Sequence, residues 1–184
     1  ELVNQLQQRP ELAVPTLALN YIDRTEYTPA NLYQFGLAPE DEIIQAANMA
    51  WQAGHRNAAI VTPRSSDDQR LQSIFSDEWE RLGGTLVSTA AFSGDSDYSD
   101  VIKQLMAIDS SEARASRLME LLPRSNVEFT PRRRNDIDFI FLIANPLQGR
   151  QLKPTLAFHF AGDIPVYAMP SIYGGLPNQS ENRD

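Results

Sequence analysis

Short apolar runs alternate along the chain with longer segments in which apolar residues recur at helical spacing. The runs lie at 14–19, 58–61, 86–92, 139–144 and 164–169. Continuous apolar runs of this length are typical of strands that helices cover on both faces of a sheet. The pattern therefore predicts five buried strands separated by helices.

The intervening segments carry helix start and stop signals. Pro39 opens the first predicted helix, three acidic residues fill its first turn, and Gly54 ends it. Further helices are predicted at 71–82, 98–108, 111–122 and 147–160. Pro154 falls inside the last of these, where a late helix start or a kink would accommodate it.

Alternation of strands and helices with short connections predicts an α/β fold, specifically a doubly wound parallel sheet with right-handed crossovers. The segment between Ile108 and Asp136 is longer than an ordinary crossover. We interpret residues 109–136 as an insertion on the surface.

Composition narrows the classes of function. The chain has 184 residues, 42% of them hydrophobic, which suffices for one domain or a substantial part of a two-lobed protein. A formal net charge of −8 argues against nucleic acid as a partner, because phosphate binding depends on clustered Lys and Arg. The chain has no Cys, and no apolar run approaches the roughly 20 residues that cross a bilayer, so we expect no membrane anchor in this segment.

Signatures of catalysis are missing from the sequence. No dinucleotide-binding, P-loop or nucleophile-elbow motif occurs, so we nominate no catalytic residue, no metal ligands and no cofactor. His55 and His159 are far apart, and we expect a surface role for the first and a core role for the second. The acids around Gly94 lack the spacing of a calcium loop, and we expect Asp97 or Ser99 to cap the next helix.

Polar residues follow several predicted strands. In open α/β sheets ligands gather outside the carboxyl ends of the strands, which makes these residues candidates for a ligand cleft. The candidates are Asn20, Arg64, Ser65, Ser66, Asn145 and Ser171. The alternative is that these residues have ordinary roles in turns, with Ser65, Ser66 or Asp67 capping the following helix.

The run Arg132, Arg133 and Arg134 is the densest positive charge in the chain. Guanidinium groups form planar bidentate contacts with carboxylates, so the run is a candidate dock for an acidic partner. The alternative is a solvated loop, since charge runs beside Pro and Asn usually lie in exposed connections.

Several strings resemble the type I periplasmic-binding-protein fold. They are YQFGLAPEDE at 33–42, NAAIV at 57–61, ERLGG at 80–84 and DYSDVI at 97–102. The resemblance implies that residues 1–37 form the end of the first lobe and the hinge crossing. Residues 38–170 then form the second α/β lobe, and residues 171–184 a truncated return hinge.

A narrower resemblance is to the penicillin-binding-protein activator lipoproteins, the LppC/LpoA family. It rests on VPTLALN at 14–20, LYQFGL at 32–37, PEDE at 39–42 and ANP at 144–146. It implies a periplasmic lipoprotein anchored to the inner face of the outer membrane. Such a protein docks on a bifunctional penicillin-binding protein and stimulates peptidoglycan synthesis without catalysing a reaction itself.

Two alternatives remain. The first is a periplasmic sensor or transport receptor for a small, amino-acid-like molecule, which uses the same two-lobed fold. The loop at 64–68 lacks the aromatic residue and the Gly that ligand-binding relatives often place there, which weakens this alternative. The second is an enzyme with an unrecognised site, which ranks lowest because no nucleophile or acid–base pair can be named.

Overall fold

The computed structural model of the chain describes residues 11–19, 30–36, 38–94, 96–121 and 129–175. This part of the chain divides into two compact units, with the boundary between Glu42 and Ile43. The first unit contains strands β1 (Glu11–Ala18) and β2 (Ala30–Gln34), which pair in parallel. The Phe35 amide extends their ladder by donating to the Ala18 carbonyl oxygen at 2.8 Å. Strand β1 covers most of the predicted strand at 14–19, but the expectation that this strand is buried is wrong, because Val14, Leu17 and Leu19 are exposed.

The second unit is built on a four-stranded sheet. Its strands are β3 (Asn57–Pro63), β4 (Thr85–Phe92), β5 (Phe139–Leu142) and β6 (Val166–Ala168), in the order β4-β3-β5-β6. Every neighbouring pair is parallel, which confirms the predicted parallel α/β sheet. The chain moves outward from β3 to β4 and then returns to the other side of β3. The direction of winding therefore reverses between β3 and β5.

The helices follow the predicted pattern closely. They are α1 (Pro39–Gln52), α2 (Ser66–Arg81), α3 (Tyr98–Leu105), α4 (Ile108–Leu121) and α5 (Pro146–Phe158), followed by a 3-10 helix at Pro170–Ile172. Helix α5 begins at Pro146, so Pro154 lies in its interior. The late-start alternative for Pro154 is therefore wrong, and the kink alternative stays a prediction.

Two apolar cores lie on opposite sides of the sheet, as expected for double winding. On β5, Phe139 and Phe141 face one core while Ile140 and Leu142 face the other. The first core receives Ile43 and Ala47 from α1 and Phe75 and Trp79 from α2, and the second receives side chains of α3 and α5. The rings of Phe75 and Phe141 stack with their centroids 4.2 Å apart. Full burial of such side chains contributes about 1.5–3 kcal/mol each.

Asp138 fixes the start of the central strand. One of its carboxylate oxygens accepts hydrogen bonds from the backbone amides of Arg56 and Asn57, both at 2.8 Å. These bonds cross from the beginning of β5 to the beginning of β3. The register of the two central strands is thereby anchored at their amino ends.

Candidate functional site

Five of the six predicted ligand-cleft residues, all except Asn20, follow the carboxyl ends of strands β3, β5 and β6 of the four-stranded sheet. Arg64 follows β3, and its amide donates to the Phe92 carbonyl oxygen at 2.8 Å. Beside it, the Ile143 amide donates to the Val61 carbonyl oxygen at 2.9 Å. This bond holds the end of β5, which Asn145 follows, beside the end of β3. Because the winding reverses between β3 and β5, this is the place where ligands of open α/β sheets bind.

Ser65 is committed to the start of α2. Its hydroxyl oxygen accepts from the Asp68 amide at 3.1 Å, and the hydroxyl also donates to the Asp68 carboxylate. This satisfies one of the amides that a helix leaves unpaired at its first turn. The capping alternative is confirmed for Ser65, and Ser66 beside it is exposed at the first position of the helix.

Asn145 caps α5 in the same way. Its side-chain oxygen accepts from the Gln148 amide at 2.9 Å, and the Gln148 side chain accepts from the Asn145 amide at 2.9 Å. This reciprocal capping box, with Pro146 at the first helical position, defines the start of the helix. The side-chain oxygen of Asn145 therefore already has a structural hydrogen bond.

Ser171 lies in the 3-10 helix after β6, and its side chain is exposed. This helix packs closely on α5 because Gly149 has no side chain. A Cβ at Gly149 would lie 2.6 Å from the Cδ1 atom of Ile172. Arg64 and Ser66 are likewise exposed. Ser65 and Asn145 are exposed too, but their side-chain oxygens accept the capping hydrogen bonds described above. Asn20 lies outside the described residues.

The three consecutive arginines have different surroundings. Arg134 makes a bidentate ion pair with Asp136 at 2.6 and 2.7 Å, and a further donor reaches the Val87 carbonyl oxygen at 2.9 Å. Hydrogen bonds from Arg134 lower the pKa of the Asp136 carboxyl. Arg133 pairs with Asp163 at 2.7 Å, and only Arg132 is exposed. Arg133 and Arg134 thus fasten the loop to the domain, and the exposure of Arg132 fits both the predicted dock and the solvated-loop alternative.

The two histidines are both partly structural. His159 is buried, and its Nε2 atom lies 2.6 Å from the Ser99 hydroxyl oxygen, which joins the end of α5 to the start of α3. Asp97 caps α3 by accepting from the Ser99 amide at 2.8 Å, as predicted. His55 is half-buried rather than fully on the surface, because its ring contacts Phe139 and Tyr167.

Sequence reasoning missed an exposed aromatic pair beside His159. The predicted helix ran to residue 160, whereas α5 ends at Phe158 and leaves Phe158 and Phe160 exposed. The spacing of Leu152 and Leu156 defines the buried face of α5. Phe158 is two residues beyond Leu156 and so falls off that face, a signal that was available in the sequence.

The described residues contain neither a metal-binding cluster nor a helix that could span a membrane. Within those ranges, His, Asp and Glu side chains form no group of three that could hold a metal ion. The helices at 39–52, 66–81, 98–105, 108–121 and 146–158 include none with the length and hydropathy of a bilayer-spanning segment.

This architecture is that of a type I periplasmic-binding-protein-like lobe. Full-length LpoA from Haemophilus influenzae superimposes with a TM-score of 0.55 at 24% identity, covering 85% of this chain and 23% of that chain. A putative branched-chain amino acid ABC transporter from Chromobacterium violaceum gives a TM-score of 0.56 at 26% identity, covering 92% and 45%. The fold prediction is confirmed.

The chain belongs to the LppC putative lipoprotein family, whose model matches residues 1–184. Among its relatives is the penicillin-binding protein activator LpoA of Vibrio cholerae, 30% identical over 154 residues, or 84% of this chain and 25% of the relative. LpoA of Photobacterium profundum is 27% identical over 182 residues, or 99% of this chain and 30% of the relative. The chain thus spans about a quarter of the length of the first relative.

Proposed function

We propose that this chain is a non-catalytic regulatory domain that binds and activates a bifunctional penicillin-binding protein and so stimulates peptidoglycan synthesis. The observation that carries the proposal is the family match over residues 1–184, within which relatives are named penicillin-binding protein activators. In this proposal the protein works in the periplasm, anchored by lipid to the inner face of the outer membrane.

The hydrogen bonds at the carboxyl edge favour binding of a protein partner over binding of a small solute. Two candidates there, Ser65 and Asn145, use their side-chain oxygens to cap helices that start at the edge. A solute would have to compete with these short-range bonds, which stabilise the fold by about 1 kcal/mol each. Polar groups that already have partners contribute little to recognition of a small molecule.

The test is reconstitution with the intact protein that carries this chain. It is mixed with a purified bifunctional penicillin-binding protein, and both complex formation and peptide cross-linking of lipid-linked substrate are followed. We expect a complex and faster cross-linking. If neither is observed while the penicillin-binding protein alone is active, the proposal is wrong.

A second candidate function is a periplasmic receptor for a small, amino-acid-like molecule. Two observations favour it: the exposed side chains of Arg64, Ser66 and Ser171 at the carboxyl edge, and the similarity to the Chromobacterium violaceum structure. A thermal-shift screen of amino acids against the intact protein tests it. A concentration-dependent rise in Tm that Arg64→Ala abolishes would favour the receptor.

A further inference from the structure

Strand β4 lies at an edge of the four-stranded sheet. It pairs with β3 on one side, and among the described residues no strand pairs with it on the other. The strand is eight residues long and contains neither a charged residue nor Pro. Charged residues and Pro are the usual guards of an edge strand, because an open edge is a template for another strand.

The register of β4 determines which of its backbone groups face outward. The Arg64 amide donates to the Phe92 carbonyl oxygen, so the backbone groups of Phe92 point toward β3. Residues of a paired strand alternate in this respect, so Ala90 also points toward β3, while Thr89 and Ala91 point away from it. Within the described chain, no hydrogen bond reaches the outward amides and carbonyl oxygens of these two residues, which we call the open stretch.

Side chains close the edge on both sides of the open stretch. The Arg134 guanidinium donates to the Val87 carbonyl oxygen at 2.9 Å, at a bulge where the register with β3 shifts. At the other end, the Ser93 amide donates to the Ser96 hydroxyl oxygen at 2.8 Å. The open stretch is therefore short and bounded on both sides.

An antiparallel copy of the same strand matches the open stretch. With a two-fold axis at Ala90, Thr89 of one copy lies opposite Ala91 of the other, and each such pair exchanges both of its hydrogen bonds. All open backbone groups of both copies are then paired. The next pair would join Val87 to Ser93, but the carbonyl oxygen of the first and the amide of the second already have partners within each copy.

We propose that β4 pairs antiparallel with β4 of a second copy of this chain, so that the two sheets join into one continuous sheet. The argument for a second copy is that the closed groups, Val87 and Ser93, lie symmetrically about Ala90. In a two-fold pair the closed groups of one copy therefore meet the closed groups of the other. An unrelated strand that continued past the open stretch would leave its own backbone groups unpaired there. This inference goes beyond the proposed function and does not depend on it.

Charge sets the strength of this pairing. The net charge of −8 on each copy opposes association through repulsion between like charges. Strand β4 itself carries no charge, and salt screens repulsion between charges elsewhere on the two surfaces. The dimer should therefore be weak at low salt and become tighter as salt is added, the reverse of an association held by ion pairs.

The first test removes one outward amide. Thr89→Pro deletes a donor that the fold does not use, and Pro is tolerated in edge strands whose amide faces solvent. Sedimentation velocity of the intact protein over a range of concentrations, at low and high salt, should show dimerisation weakened about tenfold or more, because the symmetric pair loses a donor from each copy. Thr89→Val is the matched control, since it keeps the amide and the branched side chain, and it should dimerise like the wild type.

A cysteine pair tests the register without Pro. The chain has no Cys of its own. In the proposed register the Cα atoms of Thr89 in one copy and Ala91 in the other are about 5.5 Å apart, which a disulfide can span. The intact protein with both Thr89→Cys and Ala91→Cys should form a covalent dimer when an oxidant is added at high salt, and neither single variant should.

Each outcome bears on the pairing. A wild type that stays monomeric at every concentration and salt would overturn the inference and leave the proposed function untouched. Equal dimerisation of Thr89→Pro and the wild type would overturn it too, as would equal cross-linking of the double and single Cys variants. If Thr89→Pro does not fold, as judged by circular dichroism, the Cys variants decide. If Thr89→Pro weakens binding to the penicillin-binding protein while the wild type stays monomeric, β4 pairs with a strand of that partner and the second copy is wrong.

Discussion

Glu78 shows how a single residue can combine packing and charge. It lies on the apolar face of α2 and is buried beside Trp79. Its carboxylate accepts two hydrogen bonds from Arg81 at 2.6 and 2.7 Å and one from Asn48 of α1 at 3.1 Å. The bonds from Arg81 lower the pKa of Glu78, while burial opposes them. The acid is thus kept charged and links α1 to α2.

His159 should make the stability of the domain depend on pH. Burial, reinforced by the nearby Lys103 ammonium, lowers its pKa against the opposing pull of Glu112, Asp97 and Asp100. The unfolded chain therefore binds a proton on this residue more readily than the folded chain. The free energy of unfolding should hold steady above about pH 6.5, the ordinary value, and fall as pH drops below it.

The variant His159→Gln tests this pH dependence. It should lower the free energy of unfolding by about 1–3 kcal/mol at pH 7.5, because the contact with Ser99 is disturbed. It should also reduce the further loss between pH 7.5 and pH 5.5, measured by urea unfolding at both values. Parallel losses in variant and wild type would show that His159 does not control the effect.

At the residue scale, the sequence predicts hydrogen bonds between residues that are close together in the chain. The caps Ser65 and Asp97 act within three residues, so a short window of sequence contains both partners. Asp138 and Arg134 were not predicted in this way. The Asp138 carboxylate binds an amide 82 positions away, and Arg134 binds a carbonyl 47 positions away, contacts that only the folded sheet creates.

At the scale of elements, the connection between α2 and β4 is tightly packed against Trp79. Trp79 is fully buried, and its indole nitrogen donates to the Thr85 carbonyl oxygen at 3.2 Å. A Cβ at Gly84 would lie 2.3 Å from two atoms of that indole. The absence of a side chain at Gly84 therefore makes room for the ring.

Gly84→Ala should consequently destabilise the domain. Overpacking of this kind typically costs about 1–3 kcal/mol in the free energy of unfolding. Gly94→Ala is the matched control, since a Cβ there meets no atom within 4 Å, and it should change stability by less than about 0.5 kcal/mol. Denaturant unfolding of both variants provides the measurement. Equal stabilities would mean that the indole relaxes away at little cost.

Element boundaries were predicted less well than the elements themselves. The run at 164–169 predicts a longer strand than β6, which covers only Val166–Ala168 at the edge of the sheet. Among the described residues β6 pairs with β5 alone, so pairing limits its length more than hydrophobicity does. The early end of α5 also depends on the folded structure. Helix α5 stops at a left-handed turn at Phe160, and this turn depends on tertiary packing of Leu156 and Ala161.

At the scale of the whole molecule, the sequence predicted the parallel sheet but not the order of its strands. That order places the loops after β3 and β5 side by side. Periodicity reports which residues are buried, and it does not report which strand lies next to which. The resemblance to a known family supplied the expectation of a two-lobed fold, which local patterns alone could not provide.

The arginine run offers a test that separates docking from folding. Arg132→Glu reverses an exposed charge and should change stability by less than about 0.5 kcal/mol. Arg134→Glu removes the ion pair with Asp136 and the bond to Val87, and should cost about 1–3 kcal/mol. Circular dichroism during urea unfolding measures both effects.

Under the proposed function, binding to a bifunctional penicillin-binding protein should show a different ranking of the same two variants. A charge at the rim of an interface acts mainly on the association rate, and its effect is screened by salt. Arg132→Glu should therefore slow association several-fold at low salt and only slightly at high salt, as measured by surface plasmon resonance. The contrary outcome is that only Arg134→Glu weakens binding, and does so in proportion to its loss of stability. The run would then serve to hold the loop in place, and the partner would contact another part of the protein.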